Sequence, residues 1–177
     1  MLRPISTFSF VLALLLFTWG APAFDEDTDL AYMTLNGLKT VTIQVQGIRD
    51  DYSRFGLTAD AVAADVAQSL REHGISVVDL NTAKSTPGAA LMRIKLRANE
   101  SQFRFYFYGV SIELKQKIAL NNPAGGFISG TIWKHGQTGT VMPTDLRRMN
   151  DRIGELIGDF LADYRQQNPK HVSLNRR

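Results

Sequence analysis

Cysteine is absent from the 177 residues of the sequence, and histidine occurs only three times. Without cysteine the chain has no disulfide, no thiolate nucleophile, no cysteine-ligated zinc or iron–sulfur cluster, and no attachment point for the lipid of a bacterial lipoprotein. None of the histidines has a second histidine at metal-ligand spacing. We therefore expect no metal site.

Sequence motifs for cofactor binding and acyl transfer are missing as well. The chain has no G-x-x-x-x-G-K-[ST] loop, no G-x-G-x-x-G fingerprint and no G-x-S-x-G nucleophile elbow. A carboxylate stripe at i, i+4 spacing, formed by Glu155, Asp159 and Asp163, falls on the polar side of a predicted helix, where we expect solvated side chains. We predict that the protein binds no cofactor and is not an enzyme.

Long apolar runs are also scarce, and the one near the start of the chain has the pattern of a secretory signal peptide. Arg3 precedes an uncharged run of 12 residues from Phe8 to Trp19, and Ala21 and Ala23 then form a small-x-small cleavage pattern. The run is shorter than the roughly 20 residues that span a bilayer. We predict cleavage after Ala23, a periplasmic or secreted location, and no membrane span afterwards.

Charge is present in both signs but is unevenly distributed. Residues 24–83 carry 4 basic and 10 acidic side chains, whereas residues 84–177 carry 15 basic and 7 acidic ones. The basic half suits an anionic partner, although a fold whose two halves attract one another is equally consistent. Because the chain is predicted to be exported, we expect no nucleic acid as a partner, and an envelope protein or an anionic envelope polymer is the candidate.

Hydrophobic periodicity predicts two helices and five strands in one domain, residues 24–167, followed by a flexible basic tail at 168–177. Thr58 and Thr144 are the expected N-caps of the two helices, which run to His73 and Gln167. The strands are expected at 38–48, 75–80, 90–98, 103–120 and 127–134. Residues 81–88 (NTAKSTPG) are predicted to form a turn. Glycines at 125, 126, 136 and 139 are also interpreted as turn residues, which places His135 in a loop.

This order of elements predicts the fold class. Most strands alternate apolar and polar residues, so one face of the sheet is expected to be solvated and the other covered. The order β-α-β-β-β-β-α is therefore typical of an α+β fold: a two-layer α/β sandwich with a mainly antiparallel sheet and both helices on one face.

The aromatic segment before Gly109 allows two interpretations. A continuous strand would place Tyr106 and Tyr108 inward, and the phenylalanines at 103, 105 and 107 outward. A bulge or a strand end at Gly109 would reverse the register and bury the phenylalanines. We favour the bulge or the strand end.

Two stretches of the chain resemble a family of small exported bacterial proteins. The first runs from Gly56-Leu57-Thr58 through Asp65-Val66 and Leu70-Arg71 to Gly74-Ile75. The second runs from Ser111-Ile112-Glu113-Leu114-Lys115-Gln116 through Trp133, Gly136, Gly139 and Leu156 into D-F-x-x-D-Y-x-x-x-N-P-K, which begins at Asp159. Together they cover about 130 of the 154 mature residues. The family has no assigned catalytic residues, so the resemblance implies an exported protein without a catalytic site.

The candidate binding residues lie on the predicted solvated face of the sheet. Arg93, Lys95 and Arg97 share one side of a strand, and Lys115 and Lys117 share one side of its expected neighbour, together with Glu113. Trp133 has the parity of Ser129 and Thr131, which places it on the same face. These side chains form either an ordinary solvated sheet surface or a cationic platform with an aromatic anchor.

Three functional hypotheses follow from the sequence. The leading one is an exported, non-enzymatic interaction or accessory domain of the bacterial envelope. The alternative is a periplasmic carrier of a small apolar ligand, with Tyr106, Tyr108 and neighbouring phenylalanines around a cavity between sheet and helices. The third is an enzyme that uses His135 with loop carboxylates.

Overall fold

The computed structural model describes residues 35–121 and 125–169 of the chain. The predicted signal peptide and nearly all of the predicted basic tail lie outside the described residues. Five strands, three helices and two short 3₁₀ segments make up the described chain. The strands are β1 (Thr40–Gln46), β2 (Ser76–Val77), β3 (Ala90–Glu100), β4 (Tyr106–Ala119) and β5 (Phe127–Val141). The helices are α1 (Ala59–Glu72), α2 (Leu80–Ser85) and α3 (Met149–Gln167).

The strands form one mixed sheet in the order β2-β1-β3-β4-β5. The strand β1 runs parallel to both of its neighbours, whereas β3, β4 and β5 follow one another as antiparallel hairpins. Most of the paired residues belong to these long antiparallel ladders. This topology places β5 at one edge of the sheet and puts β3 and β4 near its centre.

The hydrophobic core lies between one face of the sheet and the helices α1 and α3. The strand β3 alternates strictly, with Met92, Ile94 and Leu96 fully buried between half-exposed neighbours. Leu70 of α1 and Phe160 of α3 are buried on the same side. The predicted two-layer sandwich is confirmed: alternation makes one sheet face apolar, and the apolar stripes of two helices cover it.

The start of the first long helix agrees with the sequence prediction, whereas the segment after β2 and the start of the C-terminal helix differ from it. Thr58 caps α1 as predicted, since its hydroxyl accepts a hydrogen bond from the amide of Ala61 at 3.2 Å. The predicted turn after β2 is instead the helix α2, because the Asp79 carboxylate caps it through the amides of Asn81 and Thr82. At the C-terminal helix, residues 143–148 form a 3₁₀ segment and α3 starts at Met149.

The last strand continues beyond its predicted end. It reaches Val141, so the predicted turn glycines Gly136 and Gly139 lie inside β5. A Cβ atom at position 139 would lie 2.9 Å from the ring of Tyr108, the residue it faces on β4. Close packing against the neighbouring strand, and not a turn, therefore accounts for a glycine at this position.

The expected bulge at Gly109 is absent, and this prediction was wrong. The ladder between β3 and β4 passes through Gly109 without interruption. Tyr106 is buried, and its ring packs edge-on against Tyr52 at 6.4 Å, whereas Phe107 is 55% exposed. The continuous-strand interpretation is correct for Tyr106 and Phe107, because Tyr52 provides a core position for the tyrosine, whereas Phe103 and Phe105 precede the first residue of β4.

A register shift does occur, but in β5. Leu114 faces Trp133, whereas the next residue of β4, Lys115, faces Thr131. Ile132 is therefore the extra residue of a β-bulge, and both Ile132 and Trp133 are buried. A bulge reverses the parity of the strand, so residues after it point to the opposite face from the one that simple alternation predicts.

The two ends of the described fold are joined by the side chain of Asn168, which is buried. Its amide oxygen accepts a hydrogen bond from the amide of Gly37 at 2.8 Å, and its amide nitrogen donates to the carbonyl of Leu35 at 2.9 Å. The Tyr164 hydroxyl donates to the carbonyl of Leu38 at 3.0 Å. These bonds attach residues 35–38 to the end of α3.

Candidate binding face of the sheet

The sheet face opposite α1 and α3, which we call the open face, carries the charged residues that the sequence placed there. The strict alternation of β3 turns Arg93, Lys95 and Arg97 away from the core, and the register brings β4 beside it with Lys115 and Lys117 on the same face. Five of the six candidate binding residues thus share one surface, as predicted.

A salt bridge occupies the centre of the open face. The Lys95 ammonium lies 3.0 Å from both carboxylate oxygens of Glu113, and the Lys134 ammonium lies 3.9 Å from one of them. The hydrogen bonds from Lys95 lower the pKa of the Glu113 carboxyl, with smaller contributions from the other lysines, although burial acts in the opposite direction. Glu113 therefore stays ionised over the physiological pH range.

The open face carries a large excess of positive charge. Among the described residues of the sheet it holds six cations against one carboxylate, that of Glu113. The cations are Arg93, Lys95, Arg97, Lys115, Lys117 and Lys134. Glu113 is shared by Lys95 and Lys134 and also faces Arg93 across the ladder, so its single negative charge leaves most of the positive charge on the described part of this face unneutralised. A surface of this kind attracts anions.

Two concave regions interrupt the open face. A central depression of about 330 Å³ lies where Gly109 and Gly136 bring no side chain, between Lys95, Arg97 and Thr138. A larger groove, which we call the end groove, has a volume of about 760 Å³. It lies where β4 and β5 approach the helix α2 and the loop that follows it.

The end groove has lysines and apolar side chains in its walls and floor. Lys84 and Leu80 come from α2, Leu91 and Lys115 from the central strands, and Lys117, Phe127 and Ile128 from the β4–β5 hairpin. Sequence reasoning missed this groove, because Lys84 and Leu80 were interpreted as parts of a turn and a strand. The Asp79 cap before an N-T-A-K-S segment was the available signal for a helix.

Trp133 does not belong to the open face, which corrects the prediction for this residue. The bulge at Ile132 turns its side chain toward α3, where it is 4% exposed. The indole packs edge-on against Phe160 at 5.3 Å, and its Nε1 donates a hydrogen bond to the Asp163 carboxylate at 2.8 Å. Its observed role is in the core.

The sequence analysis placed His135 in a loop, and this prediction was wrong, because His135 lies within β5. Its Nδ1 lies 3.1 Å from the Asp159 carboxylate of α3, and both side chains are about half exposed. This pair joins the edge strand to the helix. Among residues 35–121 and 125–169, no group of three or more histidine, aspartate or glutamate side chains is arranged to hold a metal ion.

The residues proposed to line a carrier cavity do not enclose one. Tyr106 fills the core beside Tyr52, and its hydroxyl donates to the Glu100 carboxylate at 3.4 Å. Phe103 and Phe107 are 72% and 55% exposed, so they face solvent. The carrier hypothesis in its original form is therefore not supported.

The C-terminal pattern D-F-x-x-D-Y-x-x-x-N-P-K is explained by packing as far as the structure describes it. Asp159 pairs with His135, and Asp163 accepts from the Trp133 indole. Phe160, Tyr164 and Asn168 are buried beneath the sheet and the turn at 35–38. These residues hold the fold together and are not grouped around a cleft.

Comparisons with known proteins gave matches among solved structures but not among family models or curated proteins. No helix in the described ranges is long and apolar enough to cross a membrane. Among solved structures, the PelC dodecamer from Paraburkholderia phytofirmans matches at 17% identity and a TM-score of 0.41, over 72% of this chain and 88% of that one.

Two lipoprotein structures are also similar. A minor lipoprotein from Acinetobacter baumannii matches at 10% identity and a TM-score of 0.32, covering 71% of this chain and 94% of that chain. The rare lipoprotein B from Shewanella oneidensis matches at 12% identity and a TM-score of 0.28, covering 72% and 92%. At identities and TM-scores this low, the matches carry no argument about function.

Proposed function

We propose that the protein is an exported, non-enzymatic interaction domain of the bacterial envelope that binds an anionic partner across the open face. The observation that carries this proposal is the excess of six cations over one carboxylate on that face. The envelope location is supported by the signal-peptide pattern at residues 1–23.

The geometry of the open face suits an extended, repetitive anion. The strands hold their cations on adjacent ladders, and Arg93 and Arg97 lie on either side of the Lys95–Glu113 salt bridge. Arg93 is held toward β1 by a hydrogen bond from its Nε to the side-chain oxygen of Gln44 at 3.4 Å. An anionic polymer or an acidic protein surface would contact several of these cations at once.

Binding of dextran sulfate, with neutral dextran as the control polymer, tests the proposal. We expect the double substitution Arg93→Gln/Arg97→Gln to weaken binding about tenfold, because each contact between opposite charges in water contributes up to about 1 kcal/mol. The matched variant Arg71→Gln/Arg165→Gln removes the same charge from α1 and α3, on the other side of the molecule. Equal losses in both variants, or no binding by the unmodified protein, would contradict the proposal.

A further inference from the structure

The end groove has a more specific character than the rest of the open face. We propose that it binds an anionic amphiphile, a molecule in which a phosphate or carboxylate head group is joined to a hydrocarbon chain. This inference rests on the proposed function, since Lys115 and Lys117 belong to both the groove and the open face. It adds a ligand class and a defined location.

The charge in the groove selects an anion. Lys84, Lys115 and Lys117 are among its lining residues, and no aspartate or glutamate lines it in the described part of the chain. The Lys117 ammonium lies 3.9 Å from the centre of the Phe127 ring, so a cation is held against an apolar wall. An anion in this concave space would be attracted by all three ammonium groups.

The apolar side chains of the groove select a hydrocarbon chain. Leu80 is 49% exposed on α2, and Phe127 and Ile128 are 62% and 48% exposed on the facing hairpin. Covering these side chains removes apolar surface from water, which is favourable. A purely ionic polymer would leave them exposed, whereas a neutral apolar ligand would desolvate the lysines without compensation. A molecule with both parts fits both sets of residues.

The groove is held open by bonds that do not need a ligand. The Gln116 side chain donates to the carbonyl of Gly88 at 2.7 Å, which attaches the loop after α2 to β4. The Asp79 carboxylate fixes the start of α2. The volume of about 760 Å³ lies within the range of roughly 300 to 1,000 Å³ that is usual for small-molecule sites. The site is thus preorganised.

Calorimetric titration of the purified protein with dodecyl phosphate and with dodecanoate, each below its critical micelle concentration, tests the inference. Dodecyl maltoside supplies the same chain without charge, and inorganic phosphate supplies a head group without the chain. We expect binding of one or both anionic amphiphiles at least tenfold tighter than that of either control. A preference between the two would identify the head group.

Paired variants locate the site. Lys115→Gln/Lys117→Gln is expected to weaken amphiphile binding at least tenfold, while Arg93→Gln/Arg97→Gln, which removes the same charge from the same face outside the groove, changes it less than twofold. Phe127→Ser is expected to weaken the binding of the amphiphile but not the binding of dextran sulfate. Thermal unfolding of each variant verifies that it is folded.

The outcomes separate this inference from the proposed function. Binding of dodecyl maltoside as tight as that of dodecyl phosphate, or equal losses in the two double variants, would overturn the amphiphile site. Dextran sulfate binding without any amphiphile binding would overturn it too, and would leave the proposed function standing. Amphiphile binding in the groove without dextran sulfate binding would support the amphiphile site and would contradict the binding of an anionic polymer across the open face.

Discussion

Truncation of Trp133 distinguishes a core tryptophan from a surface anchor. We expect Trp133→Ala to lower the free energy of unfolding by about 3–5 kcal/mol, the usual cost of removing a large aromatic side chain from a packed core. The indole is 4% exposed and contacts Phe160, so its removal leaves a cavity between β5 and α3. The loss would be a large part of the 5–15 kcal/mol by which domains are typically stable.

Part of this cost belongs to one hydrogen bond, which a milder substitution isolates. Trp133→Phe keeps an aromatic ring but removes the donor to the Asp163 carboxylate, and we expect a loss of about 1–2 kcal/mol. The half-buried carboxylate regains water, so the loss does not reach the cost of a fully buried charge. Asp163→Ala should remove a similar amount, and the two losses should not add in the double variant.

Urea denaturation followed by far-ultraviolet circular dichroism measures these values without using tryptophan fluorescence. The control is Phe107→Ala, an aromatic truncation at a side chain that is 55% exposed on the open face, for which we expect a change within about 0.5 kcal/mol. A loss below about 1 kcal/mol for Trp133→Ala, or a larger loss for Phe107→Ala, would refute the bulge and the orientation it gives to the indole.

Three further predictions concern other parts of the fold, each measured as the free energy of unfolding. Asn168→Ala should cost about 1–3 kcal/mol, because it removes two hydrogen bonds that attach the turn at 35–38 to the end of α3, each worth about 0.5–1.5 kcal/mol; a loss below about 0.5 kcal/mol would contradict this role. The pKa of Glu113 is lowered in the folded state, chiefly by Lys95. Its contribution to the free energy of unfolding is therefore complete above the ordinary pKa of 4.5, and it is lost as the pH falls through the lower pKa of the folded state. Glu113→Gln should therefore reduce the dependence of stability on pH below about 4.5, and an unchanged dependence would reject the linkage. Gly47→Ala should cost more than about 2 kcal/mol, since φ is +83° and the new Cβ would lie 1.9 Å from a backbone oxygen. The control Gly56→Ala, with φ of +75° and open space around the new Cβ, should cost about 1–2 kcal/mol. Equal costs for the two variants would contradict the steric role of the close contact at Gly47.

Local pattern predicted those features that depend on neighbouring residues. The alternation of β3 placed Arg93, Lys95 and Arg97 on a solvated face because each residue in a regular strand determines the orientation of the next. The apolar stripe of α3 is similarly periodic, and it identified the helix although not its first residue. Both predictions needed no knowledge of distant contacts.

The features that sequence reasoning missed depend on contacts between distant segments. The bulge in β5 exists because Trp133 packs on Phe160 and Asp163 of α3, about 30 positions away. The adjacent pair Ile132-Trp133, two large apolar residues in an alternating strand, was the available sign of it. The end groove combines residues from α2, β3 and the β4–β5 hairpin, and periodicity within one segment does not reveal such a juxtaposition.

The Asn168 side chain also holds the two ends of the described fold close together. Its two bonds close a loop of 131 and 133 positions between the turn at 35–38 and the end of α3, so the polypeptide enters and leaves the described fold at one corner. A short linker between Leu35 and Pro169 could therefore join the two ends of the described fold. A circularly permuted version of the fold would need no long connection at this point. For the same reason, anything fused before Leu35 and anything fused after Pro169 would start from neighbouring points, and would approach the domain from the same corner.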